Sequence, residues 1–284
     1  MSNKNIKFAF FGTPDIATQT LEIIKTAGFM PAVIITAPDR PSGRKMLLTP
    51  PPVKTWALEN NVPILQPEKL DEDFALKLST FNFQLSIVVA YGKLFPENLI
   101  DLPSHGTLNI HYSLLPKYRG ASPVQSAILN GEEETGVSIQ KMVKEMDAGA
   151  LLSMHEVDIL PDEKTPELLD RLVKVGTHAL IDVLPNYIEG KIKLIEQDHS
   201  QATYCKKIKK EDGLIDLNGN AKENYNKYRA FYDWPSVYFF VEKNDKKIRL
   251  IIKDASLENG EFKINKVLPE GKKEMPYADF LRGL

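Results

Sequence analysis

The sequence predicts an α/β fold, in which a Rossmann-like domain with a mostly parallel sheet precedes a small β-barrel domain. Two observations support this assignment. Short apolar runs alternate with helical patterns up to about residue 190, and several β-rich runs follow a polar stretch after that point. Strands that alternate with helices form a largely parallel sheet covered on both faces. We therefore expect a large domain over residues 1–190, a linker over 191–208 and a small domain over 209–284.

The elements of the large domain follow from hydrophobic periodicity. The apolar run 6–11 predicts the first strand, and apolar residues at helical spacing up to Gly28 predict a helix after it. The runs 32–36 and 85–90 predict two further buried strands. The remaining expected elements are polar or amphipathic helices at 71–79, 124–129 and 166–190, and strands at 107–112, 135–142 and 151–160.

The small domain is predicted from runs rich in β-branched and aromatic residues. They occupy residues 237–242, 248–254 and 261–266, after a short helix that ends near Arg229. Three such runs after one helix indicate a small β-barrel.

Composition limits the possible partners and compartments. The formal net charge is −2, but the part from Gln201 onward holds 17 Lys and Arg against 13 Asp and Glu, so this end is locally basic. Cys205 is the only cysteine, which excludes a disulfide framework and a thiolate metal cluster. The start of the chain enters a strand at once, and its apolar runs are too short to cross a bilayer. We expect a cytoplasmic protein.

Two common site types have no support in the sequence. The turn after the first strand is Gly12-Thr13-Pro14 rather than G-x-G-x-x-G, and no G-x-x-x-x-G-K-[ST] occurs, so a dinucleotide or nucleoside triphosphate site is not indicated. His155, His178 and His199 lack the spacing of metal ligands, and we expect catalysis without a metal.

The stretch that carries chemistry begins with the strand at 107–112. Leu108 and Ile110 occupy one face of this strand, so Asn109 and His111 share the other. A carboxamide and an imidazole side by side at the carboxyl end of a strand can polarise a carbonyl and stabilise an oxyanion. Spacing alone does not establish this role, because a polar pair of this kind is more commonly structural.

A longer motif resolves the choice by resemblance. Asn109-Ile-His-x-Ser-Leu-Leu-Pro-x-x-Arg-Gly120 resembles the signature of the folate-dependent formyltransferases, and Met146-Asp-Ala-Gly149 is similar to a second motif of that family. The resemblance implies a catalytic triad of Asn109, His111 and Asp147. It also implies 10-formyltetrahydrofolate as the formyl donor, bound by Ser113, Leu114, Leu115, Pro116 and Tyr91.

The segment 37–53 contains five prolines and the basic residues Arg40, Arg44 and Lys45, which predicts a long non-regular loop. From the residues alone it could be a solvated surface loop or a segment that contacts nucleic acid. Pro38-Asp-Arg-Pro-x-Gly-Arg44 resembles the inserted loop of the methionyl-tRNA formyltransferase family. The resemblance implies that these three basic residues contact the acceptor stem of initiator methionyl-tRNA, Arg44 foremost. We expect the tRNA to be bound also by Lys206, Lys207, Lys209 and Lys210.

The resemblance implies an enzyme that transfers a formyl group from 10-formyltetrahydrofolate to methionyl initiator tRNA, with an OB-like C-terminal domain supporting the tRNA. We expect it to act as a monomer. The C-terminal region is shorter than is usual in the family, which leaves its tRNA contacts open. Two alternatives remain: a formyltransferase that acts on a small amine through the same triad, and a non-catalytic folate- or RNA-binding protein. The basic loop argues against the first, and the intact triad against the second.

Overall fold

The structure is a computed structural model that describes residues 6–43, 46–243 and 246–284. It divides into two compact units. The described residues of Met1–Arg119, Gly136–Val157 and Asp170–Tyr204 form the first unit, and those of Gly120–Thr135, Asp158–Leu169 and Cys205–Leu284 form the second. The functional domains at 1–190 and 209–284, with their linker, stay predictions.

The described residues contain α-helices and β-strands throughout the chain. The strands are β1 (Phe8–Gly12), β2 (Val33–Ile35), β3 (Arg40–Ser42), β4 (Leu47–Thr49), β5 (Ile64–Leu65), β6 (Leu85–Val89), β7 (Thr107–His111), β8 (Arg119–Gly120), β9 (Glu134–Lys141), β10 (Leu151–Asp158), β11 (Tyr204–Cys205), β12 (Tyr238–Lys243), β13 (Lys246–Glu258), β14 (Glu261–Pro269) and β15 (Met275–Pro276). The helices are α1 (Asp15–Thr26), α2 (Pro52–Glu59), α3 (Glu72–Ser79), α4 (Glu97–Ile100), α5 (Pro123–Leu129), α6 (Thr165–Ile188), α7 (Ala221–Ala230) and α8 (Tyr277–Arg282).

The large sheet has the strand order β10-β9-β7-β6-β1-β2-β5. Its strands from β7 to β5 run parallel, and β9 pairs with β7 in the antiparallel direction. Every residue of β1 and β6 is buried, as expected for central strands covered on both faces. The predicted mostly parallel α/β sheet is therefore confirmed, and its parallel strands all end at one edge, where ligand sites of such sheets lie.

The core beside β1 explains why these apolar runs become strands. Phe11, Val33 and Val88 from three neighbouring strands pack with Phe74 and Leu78 of α3 in one buried cluster. Burying a side chain of this size contributes about 1.5–3 kcal/mol to stability. The contact between the sheet and α3 therefore stabilises both the strands and the helix.

The prediction of a non-regular loop over 37–53 is wrong. β3 and β4 form an antiparallel hairpin, in which Arg40 lies opposite Thr49, and α2 begins at Pro52. The proline at position 41 is compatible with this pairing because a two-stranded hairpin has two edges, and an edge position does not require an N–H donor. The side chains of Leu47 and Leu48 are 65% and 68% exposed, so no buried face marks the strand in the sequence.

In the second unit, β12, β13, β14 and β15 form a four-stranded antiparallel sheet in that order. A β-bulge interrupts the ladder between β13 and β14 near Asp254, and Leu214 bridges to Tyr238 at the edge of β12. The predicted small β domain after the parallel sheet is confirmed, with α7 preceding its strands. None of the helices in the described ranges is long and apolar enough to cross a membrane.

Candidate active site

The candidate site lies at the carboxyl end of β7. Because β9 is antiparallel to β7, Asn109 lies opposite Gln140 and His111 opposite Ser138. Directly opposed residues of an antiparallel pair project from the same face of the sheet. Four polar side chains therefore share one face, and the prediction that Asn109 and His111 point the same way agrees with this register.

Both ring nitrogens of His111 face protein groups. Nε2 lies 2.9 Å from the carbonyl oxygen of Tyr118, and because a carbonyl only accepts, Nε2 must carry the proton and donate it. Nδ1 lies 3.6 Å from Oδ1 of Asp147, and the two side chains are only 6% and 12% exposed. This separation is longer than a normal hydrogen bond, so Nδ1 faces the carboxylate at close range without a direct hydrogen bond to it.

Asp147 is held in a constrained turn. Its φ is +52°, a left-handed conformation in which Asp is one of the more tolerated residues. Its Oδ1 accepts a hydrogen bond of 2.8 Å from Nε2 of Gln140. A Cβ at Gly149 would lie 1.7 Å from the carbonyl oxygen of Lys141, so only glycine permits this approach of the turn to β9.

The loop after β7 is fixed by the hydroxyl of Ser138. This hydroxyl donates to the carbonyl of Ser113 at 2.7 Å and accepts from the amide of Leu115 at 3.1 Å. The hydroxyl of Ser113 in turn donates to the carbonyl of Lys117 at 2.6 Å. These bonds satisfy buried backbone groups that the irregular loop would otherwise leave unpaired, and so they set its shape.

The residues predicted to bind folate differ in their exposure. Leu114 and Pro116 are partly exposed, whereas Ser113 and Leu115 are buried in the loop. Tyr91 is also buried and packs edge-on against Phe11 and Phe95, and burial raises the pKa of its hydroxyl. Leu114 and Pro116 are thus the members of this set that can touch a ligand directly in this conformation, while the folate role of all five stays a prediction.

The residues predicted to bind tRNA are exposed wherever the structure describes them. Arg40 lies in β3, Arg44 and Lys45 fall outside the described residues, and the lysines of the other predicted group are all exposed, namely Lys206, Lys207, Lys209 and Lys210. Asp39, at the base of the hairpin, accepts from Lys54 at 2.7 and 2.9 Å and from Gln66 at 2.7 Å.

The chain matches the formyl transferase family over residues 4–184 and the formyl transferase C-terminal domain over residues 207–263. It is 41% identical to a methionyl-tRNA formyltransferase of Sulfurihydrogenibium sp., over 86% of this chain and 79% of that protein. The chain belongs to the methionyl-tRNA formyltransferase family. A relative of the same name from Bacillus licheniformis is 36% identical over 98% of this chain and 95% of its own length.

The fold agrees with that membership. The structure of the methionyl-tRNA formyltransferase from Clostridium thermocellum superposes with a TM-score of 0.63 at 16% identity, covering 93% of this chain and 98% of that one. At this identity the likeness concerns the fold alone. Within the described residues no group of three or more His, Cys, Asp or Glu could bind a metal ion, and catalysis without a metal stays a prediction.

Sequence reasoning missed several residues that shape the site of this formyltransferase. Gln140 and Ser138 are 1% and 0% exposed, and their position opposite Asn109 and His111 is the signal that strand pairing could have supplied. The segment around Gln197 contains no motif that indicates a role at the site. Gln197 nevertheless donates to the carbonyls of Asp147 and Gly149, which lie far away along the chain.

Proposed function

We propose that this chain transfers the formyl group of 10-formyltetrahydrofolate to the α-amino group of methionyl initiator tRNA. The single observation that carries the proposal is the meeting of His111 Nδ1 and Asp147 Oδ1 at 3.6 Å in a largely buried site, beside Asn109. The family membership of the chain supports the same reaction. We also propose that it acts as a cytoplasmic monomer.

The reaction sets three requirements for the site. A neutral amine attacks the formyl carbon, the formyl oxygen gains negative charge, and the C–N bond to the donor breaks as the donor nitrogen takes a proton. The amine must lose one proton in the same reaction, so protons balance if the site moves one from the acceptor nitrogen to the donor nitrogen. Groups that donate to the oxygen and groups that exchange protons are therefore both needed.

Asn109 and His111 supply these groups in the proposed mechanism. The amide N–H of Asn109 donates to the developing oxyanion, an interaction of roughly 3 kcal/mol by analogy with other oxyanion holes. The Nε2 proton of His111 is committed to the Tyr118 carbonyl, so Nδ1 is the nitrogen that donates when the ring is protonated. A positive ring beside this oxygen stabilises the charge where it forms.

Asp147 has two tasks in this mechanism. Its carboxylate faces Nδ1 of His111 and stabilises the protonated ring by its opposite charge. It also accepts the proton lost by the attacking amine, directly or through a water molecule, and passes that proton on to the donor nitrogen as the C–N bond breaks. The hydrogen bond from Gln140 fixes one carboxylate oxygen for both tasks.

The donor and the acceptor make different demands on the chain. The partly exposed apolar side chains of Leu114 and Pro116 fit the flat ring system of a folate, and the bonds to Ser138 hold their loop in one shape. For the acceptor we propose that the β3–β4 hairpin contacts the acceptor stem through Arg40, Arg44 and Lys45. The exposed side chain of Arg40 and the anchoring of the hairpin base by Asp39 support this role.

The test is transfer of labelled formyl from 10-formyltetrahydrofolate to methionine-charged initiator tRNA, with methionine-charged elongator tRNA as the control. We expect label on the initiator tRNA alone. Release of tetrahydrofolate without label on either tRNA would overturn the acceptor and favour a small amine. Absence of any turnover would overturn the enzymatic function and favour a binding protein.

A further inference from the structure

The turn that carries Asp147 is bound by a residue from a distant segment. Gln197 follows α6, is 6% exposed, and donates through Nε2 to the carbonyl oxygens of Asp147 at 2.9 Å and Gly149 at 2.7 Å. One amide group thus holds the backbone of the catalytic turn on both sides of Ala148. Since this turn has a left-handed residue and a glycine in close contact with β9, it needs such support.

The orientation of this amide is set by Arg119. Oε1 of Gln197 accepts from Nε of Arg119 at 3.2 Å and from Nη2 at 2.7 Å, and Arg119 is 1% exposed. Nη2 also lies 2.9 Å from Nδ1 of His199. A guanidinium only donates, so the oxygen of Gln197 must face it and the NH₂ group must face the two carbonyls. The hydrogen bonds therefore run in one direction, from Arg119 through Gln197 to the turn.

We infer that Gln197 is a positioning residue for Asp147, held in the required orientation by Arg119. The inference rests on the proposed function, since it assigns Gln197 a part in placing the carboxylate opposite His111. The motif Arg of the sequence then serves the chemistry through Gln197 rather than by contact with substrate. A shift of the Asp147 turn by about 1 Å is enough to reduce turnover by roughly 100-fold.

The substitution Gln197→Glu separates the two halves of this contact. A glutamate keeps an oxygen for Arg119 and even adds opposite charge, but it has no N–H for the carbonyls of Asp147 and Gly149. We expect kcat for formyl transfer to fall by about 10- to 100-fold, with the KM for the formyl donor changed less than about threefold. Gln201→Glu adds the same charge at an exposed position four residues further on and should leave kcat unchanged.

A double-mutant cycle distinguishes positioning from a general structural role. If Gln197 acts through Asp147, then Gln197→Glu in an Asp147→Ala background should lower kcat no further than Asp147→Ala alone. Gln197→Met, which retains the length of the side chain without charge, provides a second variant if the glutamate variant does not fold. Thermal unfolding of each variant checks that the fold is retained.

The outcomes separate this inference from the proposed function. Wild-type kcat in Gln197→Glu, or a loss that multiplies with that of Asp147→Ala, would overturn the positioning role while leaving the function in place. Full turnover in Asp147→Ala would overturn the proposed mechanism, and the inference with it. A reduced kcat in Gln197→Glu that disappears in the Asp147→Ala background supports the inference.

Discussion

The site at the end of β7 and the β3–β4 hairpin belong to the same unit but are built in opposite ways. In the site, His111, Asp147 and Gln140 are largely buried. Hydrogen bonds fix the ring of His111 and the side-chain amides of Gln140 and Gln197. In the hairpin, Met46, Leu47 and Leu48 are all more than 60% exposed, and the support comes from Asp39 at its base. Bond-forming chemistry needs fixed atoms, whereas contact with a large polyanion needs reach and accessible side chains.

The largest effect is expected where the fixed atoms are removed. His111→Ala should reduce kcat for formyl transfer by roughly 10²–10³-fold, because it removes the protonated ring that stabilises the developing oxyanion. The KM for the formyl donor should change little, since the contact of the ring with the formyl oxygen strengthens only as that oxygen gains negative charge. Steady-state kinetics with charged initiator tRNA would measure this.

The control for this variant is His178→Ala, which removes an exposed histidine on α6. It should leave kcat unchanged. Near-normal turnover in the His111 variant would contradict the idea that the buried region performs the chemistry. The contrast between the buried site and the exposed hairpin would then have no functional meaning.

The loop after β7 should show a smaller effect that falls on stability and donor binding. Ser138→Ala removes the partner of the Ser113 carbonyl and of the Leu115 amide, and unpaired buried groups cost about 1–3 kcal/mol. Urea unfolding would measure this loss, and the KM for the donor should rise. Ser79→Ala, at an exposed position on α3, should change the free energy of unfolding by less than about 0.5 kcal/mol. Equal losses of unfolding free energy in both variants would show that the hydrogen bonds of Ser138 do not specifically stabilise the loop.

A substitution in the hairpin should affect only the use of the tRNA. Arg44→Ala is expected to raise the KM for charged initiator tRNA by roughly tenfold, with the KM for the formyl donor unchanged. If the contact is to a phosphate, the salt dependence of tRNA binding should also decrease by about one unit of slope. Arg282→Ala removes an exposed arginine of α8 and serves as the control. A matching loss of donor binding in Arg44→Ala would show that the hairpin shapes the folate site.

The smallest effect concerns the base of the hairpin. The hydrogen bonds to Gln66, and then to Lys54, hold the pKa of Asp39 below its usual value of 3.8. A lowered pKa contributes stability that is present above the unfolded-state pKa and is lost as the pH falls through the folded-state pKa. Between pH 5 and pH 3 the wild-type protein should therefore lose slightly more stability than Asp39→Asn in urea unfolding. Identical losses would show that the Asp39 charge does not stabilise the base.

The same contrast explains what could be predicted from the sequence. β1, β2 and β6 were predictable because buried apolar runs between helical patterns have few other structures open to them. The hairpin was missed because its apolar residues are exposed, so its strand pairing leaves no pattern of burial in the sequence. The small β domain was found from its β-rich runs, but the edge strand β15 has only two residues and gives no such run.

Some residues of the candidate site could likewise be predicted from the sequence, and others could not. Asn109, His111 and Asp147 were found because they stand within contiguous motifs. Gln197 could not be found, because it contacts Arg119 across 78 residues and the turn at Asp147 across 50, and nothing local specifies either contact. Positioning residues of this kind are specified by the tertiary fold rather than by their own segment.

The dependence of the Asp147 turn on Gln197 also means that the site is completed late during synthesis of the chain. A protein leaves the ribosome from its N-terminus, so β1, β6, β7 and β9 have emerged, together with Asn109, His111 and Asp147, before the segment after α6 is made. Only the late arrival of Gln197 supplies the donor for the carbonyls on either side of Ala148. The nascent chain thus gains its central strands before the residue that positions Asp147, and a chain released at the end of α6 would hold the three catalytic side chains without the donor that fixes the Asp147 turn.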